Sequence, residues 1–428
     1  MNFYCLQIQS VILLHKYSLM LISTGIEKWR IKEGYNITNY KLELNEVQPK
    51  NKASLYYNVL ILICLLFLSV SCTVKANKTN QYVTSNGFVC PHPNPRISIQ
   101  SRTINIYTWT EYIPSDIIEC FGLVYGIDVN VDYFSSNEEL FTKMSYGADV
   151  NQYDVIHPSD YMIKVFIRQG VLQRIDPGKL INVKNLDPEL VQVYSGDTLN
   201  YVVPYQMGTQ AIVYNSDTVT NPPKSWADLW NPDYQDRIVA VDDSRVVIGM
   251  TLLTLGYDVN STDVKQLEEA KKKLIELMPN IRIFDSDSPK TPLIAGDVDL
   301  GIVWNGEAFL AQQENLAFKY VFPQEGSIIF YDGMGIPVNA PHPDAGYAWL
   351  SYLLQGDVNW LTLVDFPYTN PNRAALEYAK QNHPEVYDAY ISSPITNTPA
   401  SVFSSGHNVE DIGNALKIYD QIWIEVKR

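Results

Sequence analysis

Histidine and cysteine are scarce, at six and five residues in a chain of 428. The histidines fall in no Ser-His-Asp or Cys-His grouping, so no nucleophilic triad can be assembled from them. Cysteines without His or acidic company argue against a zinc or iron-sulfur centre. Positive charge is also short: 32 Lys and Arg face 47 Asp and Glu, for a net charge of −15. An acidic surface repels nucleic acid and favours cationic partners, although solubility alone is served by the same surface. There is no Gly-rich phosphate loop, no internal repeat and no low-complexity tract. A hydrophobic fraction of 46% beside 18% charged residues fits a folded body of two or three domains, not a disordered chain.

The marked apolar run at 59–70, VLILICLLFLSV, is too short for a membrane span, which needs about 20 residues. Lys50 and Lys52 precede it, and Ser71 and Cys72 follow. Basic flank, apolar core, small residue and cysteine are the order of a bacterial lipoprotein signal, with Cys72 as the lipidated first residue. Ser69 stands where such signals usually carry Leu; plain secretion and a retained anchor are the alternatives. Loss of residues 1–71 removes seven basic and four acidic residues, which leaves 25 and 43 and a net charge of −18. The first 50 residues carry no readable pattern and read as an over-extended frame. The expected location is periplasmic or extracytoplasmic, with a lipid anchor in a membrane. Of the remaining cysteines, Cys120 lies on an apolar helical face beside Ile117 and Phe121, so a buried thiol is expected there in preference to a disulfide with Cys90.

A polar stretch over 72–97, rich in Asn, Thr and Lys, reads as a tether. Beyond it, the pattern predicts a strand at 104–107, a helix started by Pro114, Ser115 and Asp116 and stopped by Gly126, and a strand at 127–133. Strand, helix and strand with a short return build parallel sheets. Further strands are predicted at 153–156, 210–214, 237–241 and 300–304. Helices are predicted up to Arg168, from a Ser261 or Thr262 cap to Met278, over 345–354, and over 412–426.

In open α/β sheets, ligands bind in the crevice beyond the carboxyl ends of strands. Trp109, Glu111 and Tyr112 follow the first strand, and Ser159 and Tyr161 follow another. Asp242 and Asp243, Trp304 and Asp332 also stand at strand ends. Aromatic faces attract organic cations and cover methylene chains, at about 0.5 to 2 kcal/mol per contact. Carboxylates in a dry cleft pair strongly with ammonium groups. Together they describe a site for a flexible organic cation, although 29 Tyr and 8 Trp leave many rings for cores.

A colinear series of short strings sharpens this: WTEY at 109–112, PSDY at 158–161, LDPEL at 186–190, VPYQMGTQAI at 203–212, SWADLWNP at 225–232, VDDSR at 241–245, LMPN at 277–280, GIVWNGEAF at 301–309 and YTNPNRAA at 368–375. From about Ile104 to its end, the chain resembles the extracytoplasmic spermidine/putrescine-binding proteins of ATP-driven importers. The resemblance implies an α/β, two-lobed periplasmic-binding-protein fold. Each lobe would be a mainly parallel sheet flanked by helices, with the ligand cleft between them. It implies lobes over 98–208 with 329–377 and over 209–328 with 378–428, crossed near 208–211, 327–330 and 377–380. The implied ligand shell is Trp109, Thr110, Glu111, Tyr112, Ser159 and Tyr161 on one side, Asp243 and Trp304 on the other, with Phe330, Asp332 and Tyr368. No cofactor, metal or nucleic acid is implied; the partners would be a polyamine and a membrane permease, and the protein a monomer.

Val246, Phe330 and Val409 depart from the spermidine-preferring pattern, which places glutamate, tryptophan and glutamine there. Two lost polar partners would leave a third ammonium poorly compensated, so a shorter diamine or differently substituted cation stays open, with Asp242 as a substitute for the lost charge. Other readings are a ligand sensor or surface adhesion protein on the same fold, and a glycosidase using Glu111 and Asp243 as its carboxylate pair. Asp285-Ser-Asp287 resembles the start of a calcium loop, but it lacks the Gly and Glu of such loops and reads as a capped turn. The Asn-x-Ser/Thr triplets at Asn36, Asn77 and Asn260 read as chance in a bacterial export context.

Overall fold

The computed structural model describes residues 81–146, 151–194 and 196–428; the signal run and Cys72 lie outside them. Strand β1 (Thr103–Trp109) pairs in parallel with β2 (Asp128–Phe134) and β3 (Val155–Ile156). Helix α1 (Ser115–Tyr125) returns the chain between β1 and β2. It ends at Gly126, whose φ of 70° is the left-handed conformation that glycine adopts without a side-chain penalty. Helices α2 (Asn137–Tyr146) and α3 (Asp160–Gln169) follow β2 and β3 in the same manner. This half is a strand-helix-strand assembly with short returns, as the alternating pattern predicts.

Strand β4 (Val202–Asn215) is longer than the predicted 210–214 and carries twelve successive buried residues. It changes partner along its length. Val202 to Gln210 pair antiparallel with β9 (Ile328–Gly335), whereas Gln210 to Tyr214 pair antiparallel with β7 (Leu300–Trp304) and Ile212 to Asn215 with β8 (Phe318–Val321). Beside β7 lie β5 (Ile238–Ala240) and β6 (Ile281–Phe284), all mutually parallel. The main sheet order is β2-β1-β3-β9-β4-β7-β5-β6, with the short β10 (His407–Asn408) on β9. Two parallel blocks are therefore joined through two long antiparallel strands. Such strands, buried on both faces, read as continuous apolar runs and hide their alternation.

In the second block, helix α4 (Ser244–Thr254) follows β5, and the Asp243 side chain caps it by accepting from the Arg245 and Val246 N–H groups at 2.8 and 3.1 Å. Helix α5 (Val264–Leu277) is capped by Asp263, not by Ser261 or Thr262. A capping side chain must reach N–H groups two and three residues ahead, and Ser261 Oγ instead donates to the Gln266 side chain at 2.6 Å. Helices α6 (Lys290–Ala295) and α7 (Asn305–Glu314) follow β6 and β7; α8 (Pro343–Leu353), α9 (Arg373–Asn382) and α10 (Leu416–Val426) complete the helices named here. The last starts later than the predicted 412 because Gly413 turns the chain at φ 58° ahead of it.

Two expectations about the start of the body change. Cys90 and Cys120 form a disulfide, with Cα atoms 5.2 Å apart, where a buried thiol is expected from the helical face alone. From Gln81 onward, the stretch expected as a tether is fixed on the body. Val83 bridges Val89, Thr84 Oγ1 donates to Asp116 at 2.6 Å, and the Ser85 N–H and hydroxyl donate to Glu119. Among the described residues, no helix is long and apolar enough to cross a membrane.

Candidate functional site

The cleft lies where β4 and β9 pass between the two parallel blocks. With its mouth and the solvent in it, the cleft spans about 680 Å³. Gln210 of β4 and Ile329, Phe330 and Asp332 of β9 form its floor. One wall comes from the loops after β1 and β3: Trp109, Thr110, Tyr112, Ser159, Asp160 and Tyr161, with Asn137 at the start of α2. The other wall comes from the loops after β5, β6 and β7: Asp243, Arg245, Val246, Ser286, Asp287 and Trp304, while Tyr368 and Val409 complete the ring. Ten of the eleven expected ligand-shell residues therefore share one cavity. The eleventh, Glu111, does not line it: its carboxylate is turned to Lys290.

The aromatic rings are held by fixed polar handles. Trp109 donates from Nε1 to the His157 carbonyl at 2.8 Å, and its ring lies against Phe134 at 4.4 Å between centroids. Trp304 Nε1 sits 2.7 Å from the Gln210 side-chain oxygen, whose amide nitrogen donates to the Ile328 carbonyl at 3.0 Å. Phe330 meets Tyr368 edge to face at 5.8 Å, and Tyr368 leans on Tyr112 at 6.1 Å. Rings anchored at one edge present a face at low entropic cost. Val246 and Val409 are both buried in the lining and offer only methyl surface.

The carboxylates are arranged as two like-charged pairs. On the floor, Asp332 is 4% exposed and Asp160 1% exposed. Asp332 Oδ2 accepts from the Tyr112 hydroxyl at 2.7 Å. Asp332 Oδ1 and Asp160 Oδ2 are buried without a hydrogen-bond partner. Burial pushes the Asp332 carboxyl up to about 7, against the lowering pull of the Ser159 hydroxyl and then that of Tyr112. Burial likewise carries Asp160 well above the carboxylate range; its own backbone contact with the Tyr161 N–H lowers it and the nearby Asp332 raises it. Behind the wall and outside the cavity lining, burial pushes Glu138 to about 7, the neighbouring Asp243 raises it further, and the Tyr161 hydroxyl, donating at 2.9 Å, lowers it. Asp243 is raised by burial, opposed by the two N–H groups it caps. Since Asp243 Oδ1 is spent on that cap, Oδ2 is what remains for a ligand.

Arg245 is the cation built into this wall, 1% exposed. Its guanidinium lies 5.2 Å from the Tyr161 ring centre and 5.0 Å from that of Tyr419, and it donates to the Glu410 carbonyl and the Asn260 side chain. Arg245 acts on Asp160 and Asp243, while Asp332 and Glu138 have no such cation among the influences on them, which leaves an excess of acceptors. Unpaired charge in so dry a setting costs several kcal/mol, and this is why Asp332 and Glu138 are pushed up to about 7 and Asp160 and Asp243 are raised. A ligand carrying ammonium groups would relieve that cost and displace the protons.

The expected residues whose roles change are Asp242 and Glu111. Asp242 does not supply the missing charge of Val246, because Lys427 and the Trp423 indole N–H hold it at 2.6 to 2.9 Å. The pair Glu111 and Asp243 is no free acid and base, since one is bound by Lys290 and the other caps a helix. Asp285 accepts from the Asp287 and Ser288 N–H groups at 2.9 Å, the capped turn expected of that stretch. Asn137, Asp160, Gln210, Arg245 and the Ser286-Asp287 turn were not anticipated. Asp160 and Arg245 adjoin expected residues, but Gln210 lies in a strand interior and carries no strand-end marker.

A family model for bacterial extracellular solute-binding proteins matches residues 117–388. The spermidine/putrescine-binding periplasmic protein of Salmonella typhimurium is 38% identical over 328 residues, 76% of this chain and 91% of that protein. Among solved structures, the spermidine/putrescine ABC transporter substrate-binding protein of Streptococcus pneumoniae is 30% identical with a TM-score of 0.62, over 76% of this chain and 99% of that one. A lipoprotein of Treponema pallidum is 26% identical with a TM-score of 0.66, again over 76% and 99%.

Proposed function

Because the chain belongs to the bacterial extracellular solute-binding proteins, we propose that it captures a polyamine, a putrescine- or spermidine-like cation, and delivers it to an ABC-type permease without making or breaking a bond. The observation that carries this is the floor of the cleft, where Asp332 and Asp160 bury unpartnered carboxylate oxygens beside the aromatic wall. A chain of methylenes can lie between Trp109, Trp304 and Phe330 while its terminal ammonium groups reach the Asp332–Asp160 pair and Asp243. Trp109, Thr110, Tyr112, Ser159, Tyr161, Asp243, Trp304, Phe330, Asp332 and Tyr368 form the contact shell in this reading, with Glu111 acting from the rim.

The lobes in this reading are 98–208 with 329–377 and 209–328 with 378–428, and the ligand stabilises their closed arrangement by touching both. The working location is extracytoplasmic. A lipid on Cys72 would hold the protein at a membrane as a monomer, and the Cys90–Cys120 disulfide suits an oxidising compartment. Thermal unfolding against a panel of cations tests the ligand class. A ligand at about 100 times its Kd stabilises by about 2.7 kcal/mol. Putrescine or spermidine should raise the midpoint by several degrees at neutral pH, and equal midpoints with and without every polyamine would remove the proposal.

A further inference from the structure

Lys290 opens helix α6, on the β6 side of the sheet, and its ammonium reaches across to the loop after β1. Nζ lies 2.5 Å from Glu111 Oε2, 3.1 and 3.2 Å from the Glu307 oxygens, and 3.0 Å from Ser288 Oγ. Glu307 is 2% exposed and sits in the first turn of α7, three residues beyond the cleft tryptophan Trp304. Glu111 is held at φ 47°, a left-handed conformation that costs a non-glycine residue energy and needs support from its surroundings. Both carboxylates act electrostatically on the Tyr368 hydroxyl, so the triad stands behind the cleft lining near Tyr368 without itself lining the cavity. Burial opposes the Lys290 ammonium, but Glu307 and Glu111 outweigh it and hold the lysine protonated.

We propose that Lys290 is a built-in ammonium that neutralises Glu111 beside the cleft and so sets the ligand class to diamines over triamines. The inference rests on the polyamine reading and refines it. Two acceptor positions remain in the lining for ligand nitrogens, the Asp332–Asp160 pair and Asp243. A third ammonium would need Glu111, which Lys290 already neutralises, and Val246 and Val409 offer it only methyl groups. The protein therefore supplies from its own chain the charge that a longer polyamine would bring.

The test is the ratio of putrescine to spermidine affinity, measured by titration calorimetry for the unaltered protein, Lys290→Met and Lys290→Met/Glu307→Gln. The double variant removes the buried carboxylate that the single variant would leave unpaired, and it carries the test if the single variant fails to fold. The unaltered protein should prefer putrescine. In the double variant, spermidine should gain at least tenfold relative to putrescine, while putrescine itself changes less than threefold. Adding Glu111→Gln should cancel the gain. An unchanged ratio in the double variant overturns the role of Lys290 while leaving polyamine capture standing. Absence of binding by both polyamines in the unaltered protein overturns the parent reading, and this inference with it.

Discussion

The Tyr112 hydroxyl donates to Asp332 Oδ2 at 2.7 Å, joining the loop after β1 to the interior of β9 across 220 positions of sequence. This bond satisfies one carboxylate oxygen while the other stays buried without a partner. Half-satisfied, the group is well placed to accept an ammonium. Asp332→Asn should weaken putrescine binding at least a hundredfold, about 2.7 kcal/mol. It should also raise the thermal stability of the ligand-free protein above pH 7, because an uncompensated buried charge is gone. Calorimetry and thermal unfolding on the same variant check the two signs together.

Binding should depend on pH in a direction set by the raised carboxyls. With Asp332 and Glu138 near 7 in the free protein and near 4 in an unfolded chain, the folded state holds extra protons between those limits. The stability they confer is full below about 4 and is lost as pH rises through about 7. Cation capture runs the other way, since it needs the ionised form. Polyamine affinity should fall as pH drops below about 7, by up to about tenfold per unit for each carboxyl displaced. Calorimetry at pH 6 in two buffers of different ionisation enthalpy should show protons released on binding.

Trp109 is both wall and packing, since its ring rests on Phe134 and its N–H on the His157 carbonyl. Trp109→Ala should weaken ligand binding at least tenfold, about 1.4 kcal/mol, with the secondary structure preserved in circular dichroism. Collapse of the circular dichroism spectrum would make the ring a core residue and nothing more.

The disulfide ties the segment around Cys90 to helix α1 over a 30-residue separation. A crosslink of that span contributes about 2 to 4 kcal/mol. Cys90→Ala/Cys120→Ala should therefore lower the unfolding midpoint by several degrees, yet leave polyamine affinity within about twofold, because neither residue lines the cleft.

Strand-end residues were legible in the sequence because one rule places them: parallel strands followed by helices aim their loops at a common crevice. Trp109, Ser159 and Tyr161 are found there on that ground, whereas Asp332, expected at a strand end, reaches the cleft from the interior of β9, which runs on to Gly335; Val246 and Val409 take the apolar places expected of them. What stayed hidden depends on distances that local patterns do not encode. The approach of Cys90 to Cys120 needs the fold of residues 81–90. Lys290 meets Glu111 across 179 positions; in the sequence Glu111 reads as a ligand contact and Lys290 carries no marker at all. Gln210 was invisible because β4 is buried on both faces, where a polar residue carries no periodic marker. Asp263 took the cap from Ser261 by a register of two residues, a scale at which composition does not discriminate.

The most direct test of the central claim is a calorimetric titration of the protein with putrescine and spermidine at pH 7.5. Capture of a polyamine predicts saturable binding at one site per chain, lost in Asp332→Asn, with proton release that grows as the pH is lowered toward 6. Absence of heat with both polyamines, or full binding retained by Asp332→Asn, would contradict it.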